Sequence, residues 1–326
     1  MAGEPFWFFA DYGEYERALS SVMIGAAMLG MGASLTARDF AGVFIVWRGF
    51  AVGMLAQILV APAVAAICIA LWSMIPGHLS GLRPEDSAGI AIGIALMAAM
   101  PGGSTSNLLT FLGRGNVALS VTLTTITTFV CLITTPVVVE LLIAYRIPGE
   151  LRIDAIRIVT DIALFLIVPL ICGMGIGAVA GEHKRLFTRI MVRFALAVLA
   201  LIIVGSVGAG RVDLPRYGWI GLAAVIVFCV LIQQAAVVTA HLAGLGAPDR
   251  LAVSIEVTVK NVLLAVLLLT SMFPAAALDA AGGPEREVIE AARNGCTYVV
   301  LAFGGVCLIA GASSVIQRRM ALAARS

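Results

Sequence analysis

The feature that most constrains this chain is a series of apolar runs, each longer than the ~18 residues needed to cross a ~30 Å hydrocarbon core. Short breaks between the runs hold most of the charge. In lipid the backbone must satisfy its own hydrogen bonds, which leaves helices or a closed barrel. The strict alternation of a barrel strand is absent. The fold class that follows is an all-α polytopic membrane protein, with the lipid bilayer as its first partner. Composition agrees: 61% of residues are hydrophobic, 12% are charged and the mean hydropathy is +1.05, against about 25% charged in soluble domains. The net charge of +2 is spread without a basic patch, so nucleic acid is not a partner.

The runs predict nine transmembrane helices, at 17–35, 43–75, 86–112, 116–144, 157–180, 188–209, 217–244, 250–272 and 286–316. Residues 1–16 then form an N-terminal segment, 17–316 a single membrane domain and 317–326 a tail. An odd number of crossings puts the termini on opposite sides. Lys and Arg divide eleven to nine between the two sets of connections. The dense clusters "HKRLFTRIMVR" and "QRRMALAARS" lie in the richer set. The positive-inside rule therefore predicts a cytoplasmic C-terminus and an external N-terminus in a cell (inner) membrane. The acidic start has no basic region of the kind a cleaved signal needs, and its "PFWFF" suits the lipid interface. The six cysteines lie in apolar runs with no Cys-x-x-Cys pair, and read as buried free thiols. The three histidines have no metal-ligand spacing. Nothing fixes an oligomeric state, and a monomer is compatible with the pattern.

Polar residues inside the runs point to a site. The third run carries "MAAMPGGSTSNLLTF". Pro101 removes a backbone donor and Gly102 and Gly103 add freedom, so the helix is expected to break here. Ser104, Thr105, Ser106 and Asn107 follow. Broken membrane helices make ion and substrate sites: their N-termini favour anions and their open carbonyls favour cations. A kink packed with small residues is the alternative reading. In the fourth run Ser120 and Thr124 share a helical face. In the eighth, "SIEVTVKNVLLAVLLL" holds Glu256 and, four residues on, Lys260. Intramembrane acids usually line pathways, and a set of carboxylate, hydroxyl, amide and backbone oxygens suits sodium. Asp161 reads as a helix N-terminal acid and Glu140 as reaching the interface.

There is also a faint internal repeat. Asn107 and Asn261 each precede an aliphatic run, and the helices before them carry Gln57 and Gln233–Gln234. Five crossings separate the third and eighth spans, so matched segments run in opposite directions. That is the signature of inverted-topology repeats in secondary transporters.

Together "GMGASLTARDF", "PGGSTSNLLTFLGRGNVALSVTLTTITT" and "IEVTVKN" resemble the bile acid:sodium symporter family, in order across nearly the whole chain. The resemblance implies inverted repeats split into a panel (17–35, 157–209) and a core (43–144, 217–316), with the third and eighth helices crossing where they unwind. It implies a nine-helix homologue of bacterial type, lacking a further first helix that many bacterial members have. A first sodium site would use Ser106, Asn107, Ser120, Thr124 and Glu256, all present. A second would use Gln57, Glu256, backbone carbonyls and a glutamine four residues after the glutamate, where Lys260 stands instead. A glycine usual two residues after the glutamate is here Thr258, so the eighth helix lacks its usual breaker. Ser104, Thr105, Asn261 and Asn294 would line the substrate cavity, with Arg293, where relatives often have histidine, as a partner for an anion.

The implied function is secondary transport of an organic anion, bile-acid-like or a small carboxylate, by alternating access. A charged Lys260 cannot coordinate sodium. Its four-residue spacing puts it on one helical face with Glu256, and the two are expected to pair. Coupling is then expected at one sodium site, with a proton-linked or sodium-independent carrier as the alternative. A non-transporting sensor on the same fold is a third possibility. No His-Glu-x-x-His, catalytic aspartate pair or Gly-x-Ser-x-Gly occurs, which argues against an enzyme.

Overall fold

The computed structural model describes residues 11–143, 154–212 and 214–324. The expected interfacial "PFWFF" stretch, Arg146, Arg152 and Arg325 lie outside them. Among the described residues every regular element is helical. In chain order those longer than six residues are α1 (Tyr12–Ser34), α2 (Ala37–Ile45), α3 (Trp47–Ser73), α4 (Pro84–Ala99), α5 (Ser104–Leu112), α6 (Val117–Ile143), α7 (Ala155–Val179), α8 (Lys184–Gly208), α9 (Leu214–Leu242, kinked at Gly218), α10 (Ala247–Thr258), α11 (Val262–Met272) and α12 (Gly283–Ala323).

Seven helices among the described residues are long and apolar enough to cross a membrane. One of the seven is Val262–Ala280, α11 with the short helix Ala275–Ala280 that follows it, in place of the expected span at 250–272; the expected spans at 17–35 and 86–112 are not among the seven. The first is one helix, but it starts at Tyr12 and carries Glu14, Glu16 and Arg17 on its first turns. The other is divided into α4 and α5, of 16 and 9 residues, each too short alone. The last helix, α12, continues to Ala323, past the expected end of the ninth span at 316.

Two π-helical turns have a common cause. Ala56–Val60 precedes Pro62 in α3, and Ala163–Ile167 precedes Pro169 in α7. Proline cannot donate to the carbonyl four residues back. The helix accommodates it with a wider turn, in which Ala61 donates to Ala56 and Val168 to Ala163.

The helices associate in two groups. α1 packs along α7 and α8, while α4 packs on α12 and α6, and α9 on α10 and α12. Where α1 meets α7, Gly173 and Gly177 face the carbonyls of Leu29 and Ala33 so closely that a Cβ would strike them. Small residues four apart allow this approach. Gly173→Val should therefore separate the two helices and cost about 1–3 kcal/mol. Thermal unfolding in detergent reads this as a melting point several degrees lower; an unchanged melting point would mean the backbones are not in contact.

The cysteines are only partly as expected: Cys131, Cys229, Cys296 and Cys307 are buried, Cys68 is half-buried and Cys172 is exposed on an apolar helix face. Asp161 is also corrected. It lies on the second turn of α7, past the first turn that N-terminal stabilisation reaches, and is buried with Arg17 2.8 Å away and Ser271 donating to it, so it ties α1, α7 and α11 together.

Candidate functional site

The site is built on two interruptions. Met100 is extended (φ −72°, ψ 142°), as a residue before proline prefers, and α4 stops there. α5 begins three residues after Pro101. The second interruption runs over Val259–Asn261, between α10 and α11. It forms despite Thr258, because Val259 (φ −88°, ψ 85°) and Asn261 (φ −76°, ψ 85°) take angles that need no glycine. The β-branched run Val257–Thr258–Val259 weakens the helix, and the Asn261 side chain accepts from Leu264 N at 3.2 Å, capping α11.

The interruptions cross and satisfy each other. Gly103 N donates to Val259 O and Asn261 N to Pro101 O, both at 2.9 Å, around an antiparallel bridge between Gly102 and Lys260. Gln57 Nε2 reaches in from the π turn of α3 and donates to Met100 O at 2.6 Å. Freed backbone groups are thus paired within the protein, which broken membrane helices require.

Behind the crossing lies a cluster of oxygens. Ser106 Oγ donates to Glu256 Oε2 at 2.5 Å and Thr124 Oγ1 to the same oxygen at 2.8 Å. Ser120 Oγ donates to Asn107 Oδ1 at 2.8 Å, and Thr124 Oγ1 lies 3.3 Å from that amide oxygen. Ser106, Ser120 and Thr124 are fully buried and Glu256 is 1% exposed. All five residues expected together are therefore together. Glu256 Oε1 is buried with no hydrogen-bond partner among the described residues. A buried carboxylate oxygen left unpaired is costly, and it lies against Gly102, where a Cβ would overlap it.

Lys260 departs from expectation. Its four-residue spacing from Glu256 would put the two on one face only if the helix continued, and α10 ends at Thr258. No ion pair joins them directly; Lys260 Nζ instead donates to Gln57 Oε1 at 2.8 Å. The ammonium is 3% exposed, and the amide that receives it is 6% exposed. The two residues expected at a second ion position thus meet each other.

In front of the crossing is a cavity of ≈ 360 Å³. Ser104, Thr105 and Asn261 line it, with Lys260 and aliphatic residues of α8, α11 and α12. Ser104 and Thr105 open α5, and Val262 and Leu263 open α11, so two helix N-termini face the space. Arg293 and Asn294 are not among its lining residues. They sit earlier on α12, where Arg293 is within electrostatic reach of Glu16 and Arg211. That end of the molecule holds a network the sequence did not reveal: Glu16 pairs with Arg211, both buried, and Arg211 covers the Tyr12 ring at 4.8 Å. Gln233, the expected counterpart of Gln57, binds Ala310 O and Ser314 Oγ on α12 at 2.9 and 2.8 Å, away from the crossing.

Among the described residues no group of three or more His, Cys, Asp or Glu side chains gathers. The donor set at the crossing is one carboxylate with hydroxyl and amide oxygens.

A model of the sodium bile acid symporter family matches residues 21–213, which include Ser106, Asn107, Ser120 and Thr124 and end before Glu256. An uncharacterized sodium-dependent transporter, YocS, of Bacillus subtilis (strain 168) is 30% identical over 264 residues, covering 78% of this chain and 74% of the relative. A probable chloroplastic sodium/metabolite cotransporter, BASS2, of Oryza sativa subsp. japonica is 32% identical over 173 residues, 53% of this chain and 36% of its own length. A sodium-dependent organic anion transporter of Bos taurus is 27% identical over 199 residues, 61% of this chain and 48% of its own. The chain is a multi-pass membrane protein that belongs to the sodium bile acid symporter family, a family of transporters and not of enzymes.

Proposed function

We propose that the chain is a sodium-coupled secondary carrier of an organic anion, with one coupling ion held by Ser106, Asn107, Ser120, Thr124 and Glu256. One observation carries this reading: Glu256 has one oxygen fixed by two hydroxyls and the other buried without a partner. Hard cations favour such all-oxygen donor sets. A single negative charge among neutral oxygens matches a monovalent ion. The Bacillus and cattle relatives, both named as sodium-dependent transporters, support the same ion.

Counting each broken pair as one crossing and α2 with α3 as one, the helices make nine passages. The helices α1, α7 and α8 act as the panel, and α3–α6 with α9–α12 as the core. The N-terminus lies outside and the C-terminus in the cytoplasm. The cavity lies between the two groups, and the anion binds there against Ser104, Thr105, Asn261 and the two helix N-termini. Alternating access is movement of the core against the panel. Arg293 and Asn294, toward the other end, meet the substrate when that end opens.

In this reading Lys260 replaces the second sodium. Its ammonium, held by Gln57, is a donor only. A second cation ~4 Å away would be repelled by about 4 kcal/mol at an effective dielectric near 20. Lys260→Gln should restore an oxygen ligand, so uptake becomes sigmoidal in sodium; an unaltered sodium response would make Lys260 a bystander.

A proton-linked carrier is the second reading, favoured by the burial of Glu256 and Lys260 at one crossing. Proteoliposomes decide between the two. Labelled taurocholate and a series of small monocarboxylates are offered under an inward sodium gradient, then under a proton gradient without sodium. Accumulation with sodium alone supports the first reading; accumulation with protons alone overturns it.

A further inference from the structure

At the crossing the charges can be counted. Glu256 and Lys260 are 1% and 3% exposed and are the two buried charged residues there. The other buried charges among the described residues are paired elsewhere: Glu16 with Arg211, Asp161 with Arg17, and Asp86 with Arg83 and Arg216. Lys260 is also the one charged residue among those lining the cavity.

We propose that Lys260 makes this carrier electroneutral and selects a monoanion as its substrate. The inference rests on the sodium reading above and goes beyond it. The empty site holds one negative and one positive charge and is neutral. It stays neutral if the proton moves from lysine to glutamate. Adding one Na+ and one monoanion leaves it neutral again. Neither the loaded nor the empty passage then moves net charge through the membrane field.

The alternatives differ sharply. A dianion would leave an uncompensated negative charge at the middle of the bilayer, where charge is expensive. With two sodium ions and no lysine, each cycle would carry one positive charge inward, and an inside-negative potential would drive accumulation. One elementary charge across about 100 mV changes an accumulation ratio about 50-fold. With Lys260 in place that factor is absent.

The test uses the full chain in two steps. Thermal stabilisation is measured at saturating sodium with monoanions (taurocholate, nicotinate, 2-oxoisovalerate), dianions (succinate, phthalate) and the neutral amide nicotinamide. Uptake of the best-stabilising compound is then followed in proteoliposomes at fixed sodium gradient, with a potassium diffusion potential of zero or about −100 mV. The expected result is stabilisation confined to monoanions and accumulation that changes less than twofold with potential. Lys260→Gln should make uptake depend on potential by tens of fold, while Lys260→Arg, which keeps the charge, should not. A neutral compound or dianion that stabilises as well as the monoanions overturns the proposal, as does a panel without a stabilising monoanion. So does a ~50-fold potential effect in the unaltered protein. Stabilisation by sodium alone, and its loss in Glu256→Gln, is read separately. If sodium does nothing, the sodium reading falls; if sodium acts but potential matters, this inference falls alone.

Discussion

Glu256→Gln should abolish sodium binding. The carboxylate supplies the negative charge in the oxygen cluster, and two hydroxyls are oriented to donate to it at 2.5 and 2.8 Å. An amide is nearly the same size but neutral, and it offers donors where the hydroxyls also donate. The substitution also leaves the Lys260 ammonium as an unbalanced charge at 3% exposure. Losing the carboxylate's attraction for a cation ~4 Å away, about 4 kcal/mol at an effective dielectric near 20, is a loss of roughly a hundredfold or more in sodium affinity. Sodium-driven uptake should fall by a similar factor, and the sodium-dependent rise in melting temperature should vanish. Retention of either would remove Glu256 from the ion site.

Gly102→Ala is expected to be nearly as severe, for a steric reason. A Cβ there would overlap Glu256 Oε1. The carboxylate can escape only by leaving Ser106 and Thr124, and the backbone can escape only by opening the bridge to Lys260. Each route dismantles the ion site. Overpacking of this kind costs about 1–3 kcal/mol, to which the lost hydrogen bonds add. The protein should melt several degrees lower, and sodium should no longer stabilise it. Gly103→Ala is the useful comparison, since its Cβ would stand 3.1 Å from Lys260 O and touch no carboxylate. It should lose less of its sodium response. Equal loss in both would mean that the crossing tolerates no side chain at all, and that the contact with Glu256 is not the cause.

The sequence made the chemistry of the crossing legible more fully than its geometry. Pro101 with two glycines announced the break after Met100, because proline acts locally on the residue before it. Hydroxyls four apart on α6 announced a polar face for the same local reason. The second break was less legible: it uses ordinary φ and ψ values at Val259 and Asn261, and its β-branched run and Asn261 cap are weaker marks than a proline with two glycines. That break also undid the expected Glu256–Lys260 pair, since a helical spacing means nothing across an interruption. The true partner of Lys260 is Gln57, 203 positions earlier. Contacts at that separation come from tertiary packing, and so do Glu16 with Arg211 and Asp161 with Ser271. Arg293 and Asn294 were carried over by resemblance, which specifies a position in the chain and not which end of a carrier is open. They lie on α12 before the stretch that lines the cavity.

The most direct measurement is the number of sodium ions bound per chain, by equilibrium dialysis of radioactive sodium against the purified full-length protein. One ion per chain, lost in Glu256→Gln and rising to two in Lys260→Gln, is the result this account predicts. Two ions in the unaltered protein would contradict the role of Lys260, and sodium binding that survives in Glu256→Gln would contradict the site itself.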